Sequence, residues 1–173
     1  MPKLELKLKI KVEDLLEVRE RVRQTAKFIE KTNFIDTFFS KSDKKIYQLR
    51  VRSTKTRRVT SLKLFLKSNK VQKNAIYDFE ANPNDFIEFL ETIGFKPCLL
   101  LRKVSEIYQY KEVTIELTQI ERMGNFAELI ILSDEKREKE DEKKLFELSK
   151  LLGLDKKTED LRYYTEIAKE CNY

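Results

Sequence analysis

Lys3 to Lys11 reads K-L-E-L-K-L-K-I-K, with a charge at every odd position and an aliphatic residue at every even one. A strand sends successive side chains to opposite faces, so this segment is a strand with one charged and one apolar face. The pattern returns along the chain. Ile46 to Ser53 alternates with Gln48, Arg50 and Arg52 on one side. Thr60 to Lys67 sets Ser61, Lys63, Phe65 and Lys67 against Leu62, Leu64 and Leu66, and Ile76 to Glu80 carries Asp78 and Glu80 together. The apolar faces need helices to cover them, and the charged faces must meet water or one another. An open sheet with one solvated face satisfies that. So does a closed barrel of eight strands, whose interior has room for a ligand. Such an interior would be lined by Glu5, Lys9, Arg50, Arg52, Lys63, Lys67, Asp78, Glu80, Lys103 and Glu128. Burying charges of both signs is costly unless a charged ligand or a metal joins them.

The remaining segments supply the cover. Asp14 to Glu30 places Leu15, Val18, Val22, Ala26 and Ile29 at helical spacing. Asn33 to Ser40 is rich in β-formers, and Ser40 to Lys45 is a turn. Asn82 caps a helix opened by Pro83, with Phe86, Phe89, Leu90 and Ile93 as its buried stripe and Gly94 as its stop. Cys98 to Tyr110, Glu112 to Ile120 and Asn125 to Leu132 are further strands. Ser133 or Asp134 caps a long charged helix to Leu152, ended by Gly153, and a last helix spans Glu159 to Glu170. Eight strands and four helices with short turns predict an α+β chain, a single domain over 1–173.

Composition narrows the chemistry. The 173 residues include no histidine, which removes Ser-His-Asp and Cys-His catalysis and every imidazole acid or base. Two cysteines, Cys98 and Cys171, form no CxxC and read as reduced thiols. The apolar runs fall far short of the roughly 20 residues of a membrane span. Met1 to Lys11 does not read as a signal peptide, so the expectation is a cytoplasmic protein without membrane contact. The net charge of +6 is concentrated: Lys41 to Lys73 holds twelve Lys/Arg and one acid, Asp43. One strongly basic segment invites an anionic ligand, and a solvated basic face is the plainer alternative.

Short motifs in a consistent order resemble the CYTH superfamily, the triphosphate tunnel metalloenzymes, and within it the class IV adenylyl cyclases. Glu5-Leu6-Lys7-Leu8-Lys9 resembles the E-x-E-x-K strand, with Lys at the second Glu. Asp36-Thr37-Phe38-Phe39 resembles D-x-Y-F, Leu49-Arg50-Val51-Arg52 matches L-R-x-R, and Leu64-Phe65-Leu66-Lys67 resembles L-T-Y-K. Asp78-Phe79-Glu80 resembles E-x-E, Leu90 to Phe95 resembles L-x-x-x-G-F, and Met123 to Glu128 resembles L-G-x-F-x-E. Arg162 to Ile167 resembles the C-terminal S-Y-x-E-L-L. The resemblance implies a closed eight-stranded antiparallel tunnel with flanking helices. It also implies a nucleoside or inorganic triphosphate as ligand, and Mg²⁺ or Mn²⁺ as cofactor.

Carried over by position, the resemblance implies triphosphate contacts from Lys9, Arg50, Arg52, Lys67 and Lys103. Metal ligation would fall to Glu5 and Glu128, helped by Glu116 or Glu80, with Glu5 and Glu128 as catalytic groups. Arginine matches phosphate oxygens with a planar fork of donors, and these metals take hard oxygen ligands. The departures fall mainly on the metal side: Lys7 and Thr118 stand where carboxylates are expected, and Ile130 loses a final Glu. On the phosphate side, Ile76 and Ser105 replace expected arginines. A weakened metal site is therefore expected. The first functional expectation is a metal-dependent triphosphatase or adenylyl cyclase-like enzyme. The alternative is a catalytically weakened nucleotide- or polyphosphate-binding module, and the third is RNA binding through segment 41–73. No ordered aromatic-basic motif supports RNA, so nucleic acid is the weakest partner. A homodimer is compatible with the sequence.

Overall fold

In the computed structural model, the alternating segments become strands of one antiparallel sheet. The structure describes residues 3–40, 49–54, 60–66, 70–79, 82–154 and 159–170. The strands are β1 (Lys3–Val12), β2 (Lys27–Ser40), β3 (Leu49–Thr54), β4 (Thr60–Leu66), β5 (Gln72–Phe79), β6 (Lys96–Tyr110), β7 (Val113–Ile120) and β8 (Gly124–Ser133). The helices are α1 (Leu15–Thr25), α2 (Pro83–Thr92), α3 (Glu138–Leu151) and α4 (Tyr164–Glu170). The strand order is β3-β2-β6-β7-β8-β1-β5-β4. The outermost strands, β3 and β4, return to within 8 Å of each other at Cα, so the sheet is strongly curled. Among the described residues no ladder joins that last pair.

The two faces separate as the alternation requires. Leu6, Leu8 and Ile10 of β1 point outward into a core with Ile115 and Leu117 of β7 and Leu129 and Ile131 of β8. Val18 and Val22 of α1 and Leu145 and Leu148 of α3 cover that core. Leu90 of α2 covers Phe39, Leu49 and Val51. Helix α4 closes one end of the curl, with Tyr164, Ile167 and Ala168 against Phe38, Leu101, Ile120 and Phe126. The caps agree with the sequence. Asp14 accepts from the Leu16 amide at 2.7 Å, and Asn82 accepts from the Asn84 amide at 3.0 Å. Gly153 ends α3 at φ +62, a conformation that costs glycine nothing.

Several boundaries differ from the sequence reading. Helix α1 stops at Thr25, and residues 27–30 open β2. The long β6 accounts for this, because Lys27 pairs with Gln109 and Phe28 with Tyr108. Pairing with a strand already in place outweighs helical periodicity. Strand β5 begins at Gln72, adding Gln72 and Asn74 to the inner face. Asp134 caps a turn at Lys136 and Arg137, and α3 starts only at Glu138. Helix α4 starts at Tyr164 because residues ahead of it join β1: Glu159 bridges Ile10, and the Asp160 amide donates to the Lys9 carbonyl at 2.9 Å. Leu66 is exposed where helix cover was expected. Lys67, Glu80, Cys171, Lys55, Arg57, Arg58 and the turn beyond Ser40 lie outside the described residues. No described helix is long and apolar enough to cross a membrane.

Leu145 is fully buried and ties α3 to the outer face. Leu145→Ala is expected to lower stability by about 2–5 kcal/mol, read by urea denaturation, with little effect on the inner face.

Candidate functional site

Side chains two apart on a strand share a face. Strand β1 therefore presents Glu5, Lys7 and Lys9 together to the inside of the curl, and all three are buried. Asp36 of β2, Arg50 of β3, Lys63 of β4, Asn74 of β5, Lys103 of β6, Glu116 of β7 and Glu128 of β8 are buried there too. Arg52 of β3 is nearly so, at 16% side-chain exposure. Among the described residues ten charged groups thus converge: six basic side chains and four carboxylates, an excess of two basic groups.

The charges are organised around three carboxylates. Asp36 receives Arg52 through two bonds, Nε to Oδ1 at 2.7 Å and Nη2 to Oδ2 at 3.0 Å. Lys103 Nζ lies 2.8 Å from Asp36 Oδ2, and Arg50 Nη1 lies 3.8 Å from it. Glu128 Oε1 accepts from Lys7 Nζ at 2.8 Å. Glu5 Oε1 accepts from Lys63 Nζ, which reaches over β5, and from Asn74 Nδ2 at 3.0 Å. Lys9 takes a different partner. Its ammonium donates to the Arg162 carbonyl, which Gln72 also holds at 2.8 Å, and lies 4.6 Å from the Tyr164 ring centroid. Lys103 sits 4.0 Å from the same ring.

Burial and neighbouring charge pull these groups in opposite directions. For Asp36, burial alone would raise the carboxyl, but Arg52, Lys103 and Arg50 together hold it well below its usual range. Glu5 is drawn down to about 2 by Lys63 and Lys7 against the same burial. Glu128 is lowered likewise, chiefly by Lys7 and Lys103. Lys7 is raised, because Glu128, Glu5 and Glu116 outweigh burial. The other lysines lose that contest. Burial, reinforced by adjacent cations, lowers Lys63 to about 7 and Lys9 and Lys103 to about 8.

Two buried polar atoms in this interior, Arg50 Nε and Asn74 Oδ1, lack a partner among the described residues, while the Tyr164 hydroxyl lies beside Glu128, which raises it. Buried polar groups are nearly always satisfied, so unpaired ones beside converging cations are compatible with a polar ligand. A divalent cation fits less well. Glu116 and Glu128 face each other across β7 and β8, but Lys7 engages Glu128 and Lys63 engages Glu5. Among the described residues no three acidic or cysteine side chains come together in a metal-holding group.

Of the residues expected at the site, Glu5, Lys9, Arg50, Arg52, Lys103, Glu116 and Glu128 are brought to one interior; Lys67 and Glu80 lie outside the described residues. Asp78 is a correction: it sits exposed at the rim, paired with Lys3 at 3.0 Å. The sequence reading missed Asp36 as a site residue, along with Asn74 and Tyr164. Asp36 was legible as an acid on the same strand face as Phe34 and Phe38, opposite Ile35, since an acid set between two aromatic residues must meet something polar. Tyr164 was visible as the tyrosine of the C-terminal S-Y-x-E-L-L resemblance, but its place in this interior depends on where α4 docks.

A curled antiparallel sheet with charged strands turned inward, flanked by helices, defines a CYTH-type fold. The chain belongs to the CYTH family, whose domain matches residues 1–164. The family's members are triphosphatases and adenylyl cyclases and generally use divalent metals. No curated protein matches the chain. Among solved structures, a protein from Pyrococcus horikoshii OT3 is similar at 23% identity and TM-score 0.82, covering 94% of this chain and 98% of its own. A candidate adenylate cyclase from Vibrio parahaemolyticus is similar at 19% identity and TM-score 0.81, with 98% and 99% covered. A candidate adenylyl cyclase from Hippeastrum, described as having a dominant triphosphatase activity, is similar at 16% identity and TM-score 0.68, with 97% and 95% covered. At these identities the likeness shows the fold.

Two outcomes follow from the charge network. Asp36→Asn strips three cations of their shared counter-charge and is expected to cost about 3–5 kcal/mol in urea denaturation. Stability should also depend on pH in two windows. Glu5, Asp36 and Glu128 titrate lower when folded, so their contribution is lost as pH falls from about 4.5 towards 2. Lys63, Lys9 and Lys103 titrate lower when folded, so the unfolded chain holds more protons above about 7 and stability rises from there towards 10.5. Lys7 runs the other way, with its contribution present below 10.5 and lost above it. Denaturation at a series of pH values checks both windows.

Proposed function

We propose that this protein binds a triphosphate-containing ligand, nucleoside or inorganic, inside the curled sheet. The observation that carries the reading is the convergence of six cations on one interior, two in excess of the carboxylates there. The unpartnered Arg50 Nε and Asn74 Oδ1 support it. In this reading Arg50, Arg52, Lys9 and Lys103 hold the phosphates, joined by Lys67 from the same strand pattern. Arg52 and Lys103 are held in place by Asp36, so little side-chain freedom is lost when an anion takes over from the carboxylate. The sheet closes around the ligand as a tunnel, a reading supported by the approach of β3 to β4. Triphosphate hydrolysis and cyclisation, the reactions of the family, both act on this ligand class.

Inorganic tripolyphosphate is expected to raise the melting temperature well beyond monophosphate or sulfate at matched ionic strength. A hundredfold excess over Kd stabilises by about 2.7 kcal/mol, roughly 5–10 °C for a chain of this size. Arg52→Ala should remove most of that ligand-induced shift, whatever its effect on the unliganded melt. Equal shifts from tripolyphosphate and sulfate would defeat the reading.

A further inference from the structure

Lys7 and Lys63, two buried lysines given no role in the phosphate grip above, each hold a carboxylate that a metal would need. Lys7 Nζ lies 2.8 Å from Glu128 Oε1, with side-chain exposures of 6% and 1%. Lys63 donates to Glu5 Oε1, and Asn74 adds a second donor to that same oxygen. We infer that this site takes its polyanion without a divalent ion, the ammonium groups of Lys7 and Lys63 supplying the positive charge in its place. The inference rests on the triphosphate-binding reading.

Three features support it. The first is competition for the carboxylates. A divalent ion approaching Glu128 meets a protonated amine that offers no lone pair. To coordinate, it must push Lys7 off its partner, and a buried ammonium without a counter-charge is strongly disfavoured. The second is the charge count. With every basic group protonated, six cations against four carboxylates among the described residues leave two positive charges, the contribution of a single divalent ion, and an arriving polyanion favours the protonated form of Lys63, Lys9 and Lys103. The third is donor capacity. An ammonium carries three N–H donors, and Lys7 spends one on Glu128 among the described residues, so phosphate oxygens can share the same group. Positive charge fixed on β1 and β4 costs no ion uptake. It also changes which form of the ligand is preferred. A triphosphate already complexed with Mg²⁺ brings less negative charge and sets a cation against Lys7, so the metal-free polyanion is the better ligand.

Calorimetric titration of inorganic tripolyphosphate into the full chain tests this, once in EDTA and once with Mn²⁺ or Mg²⁺ in excess. Mn²⁺ alone is followed by loss of its free-ion EPR signal. The expected result is binding in EDTA at least as tight as with metal, and no uptake of Mn²⁺ alone. Lys7→Met should weaken tripolyphosphate binding in EDTA by at least about tenfold, as loss of a charged hydrogen bond implies. Lys7→Arg, which keeps the charge, should retain most of it. Binding that requires Mn²⁺, or that Mn²⁺ tightens about tenfold or more, overturns the inference and leaves the triphosphate reading standing. Absence of tripolyphosphate binding in both conditions overturns that reading and the inference with it. If Lys7→Met does not fold, the wild-type comparison of EDTA with Mn²⁺ decides alone.

Discussion

A cation removed from water must find a counter-charge close by, or its burial costs several kcal/mol. This protein buries five on one face of one sheet, with Arg52 a near-buried sixth. That constraint shapes the rest. Glu5 and Lys63 belong to strands separated by β5, and the Lys63 side chain reaches across it to pair with Glu5. Asp36 gathers Lys103 from the strand on one side of β2 and Arg50 and Arg52 from the strand on the other. A flat sheet would expose both sets to water and leave no reason for the pairing. Curling also fixes where the helices go. With the charged face turned inward, α1, α2 and α3 pack outside on the aliphatic face, and among the described helices α4 alone reaches the interior, at one end.

That end is built differently from the rest. Lys9 has no carboxylate within ion-pair distance among the described residues. It is satisfied by the Arg162 carbonyl and by the faces of Tyr164 and Phe126. A ring face attracts a cation without neutralising it. The Tyr164 ring serves Lys9 and Lys103 together, and burial and Glu128 push its hydroxyl well above its usual range, so it stays protonated. Segment 159–163 therefore does more than connect α3 to α4. Its contacts with β1 and Gln72 position the carbonyl on which Lys9 depends.

Much of this was legible in the sequence, and the part that was not has a common cause. Inward and outward residues of β1, β3, β6, β7 and β8 follow from a period of two, which depends on nothing but neighbouring residues. The family resemblance named most of the residues that converge. What sequence missed depended on pairing. The length of β2 was set by β6, which pulled residues 27–30 out of a helical pattern. The inward Asn74 came from an extension of β5 along β1 and β4. Asp36 was visible as a motif residue, but its role needed three cations from two other strands. Lys7 was read correctly as facing Glu5 and Lys9. Its hold on Glu128 needed the β1–β8 register, which sets Lys7 opposite Ile130 and Lys9 opposite Glu128.

The same period of two explains how one fold can carry different interior chemistry. Leu6 and Leu8 flank Lys7 in sequence but pack on the opposite side of the sheet. A change at position 7 between carboxylate and ammonium alters the interior by two charge units beside Glu128 and leaves the outer core untouched. Solved neighbours at 16–23% identity share the fold. What an individual chain binds is then decided by the inner-face residues, position by position. In this chain those positions carry more ammonium and guanidinium than carboxylate.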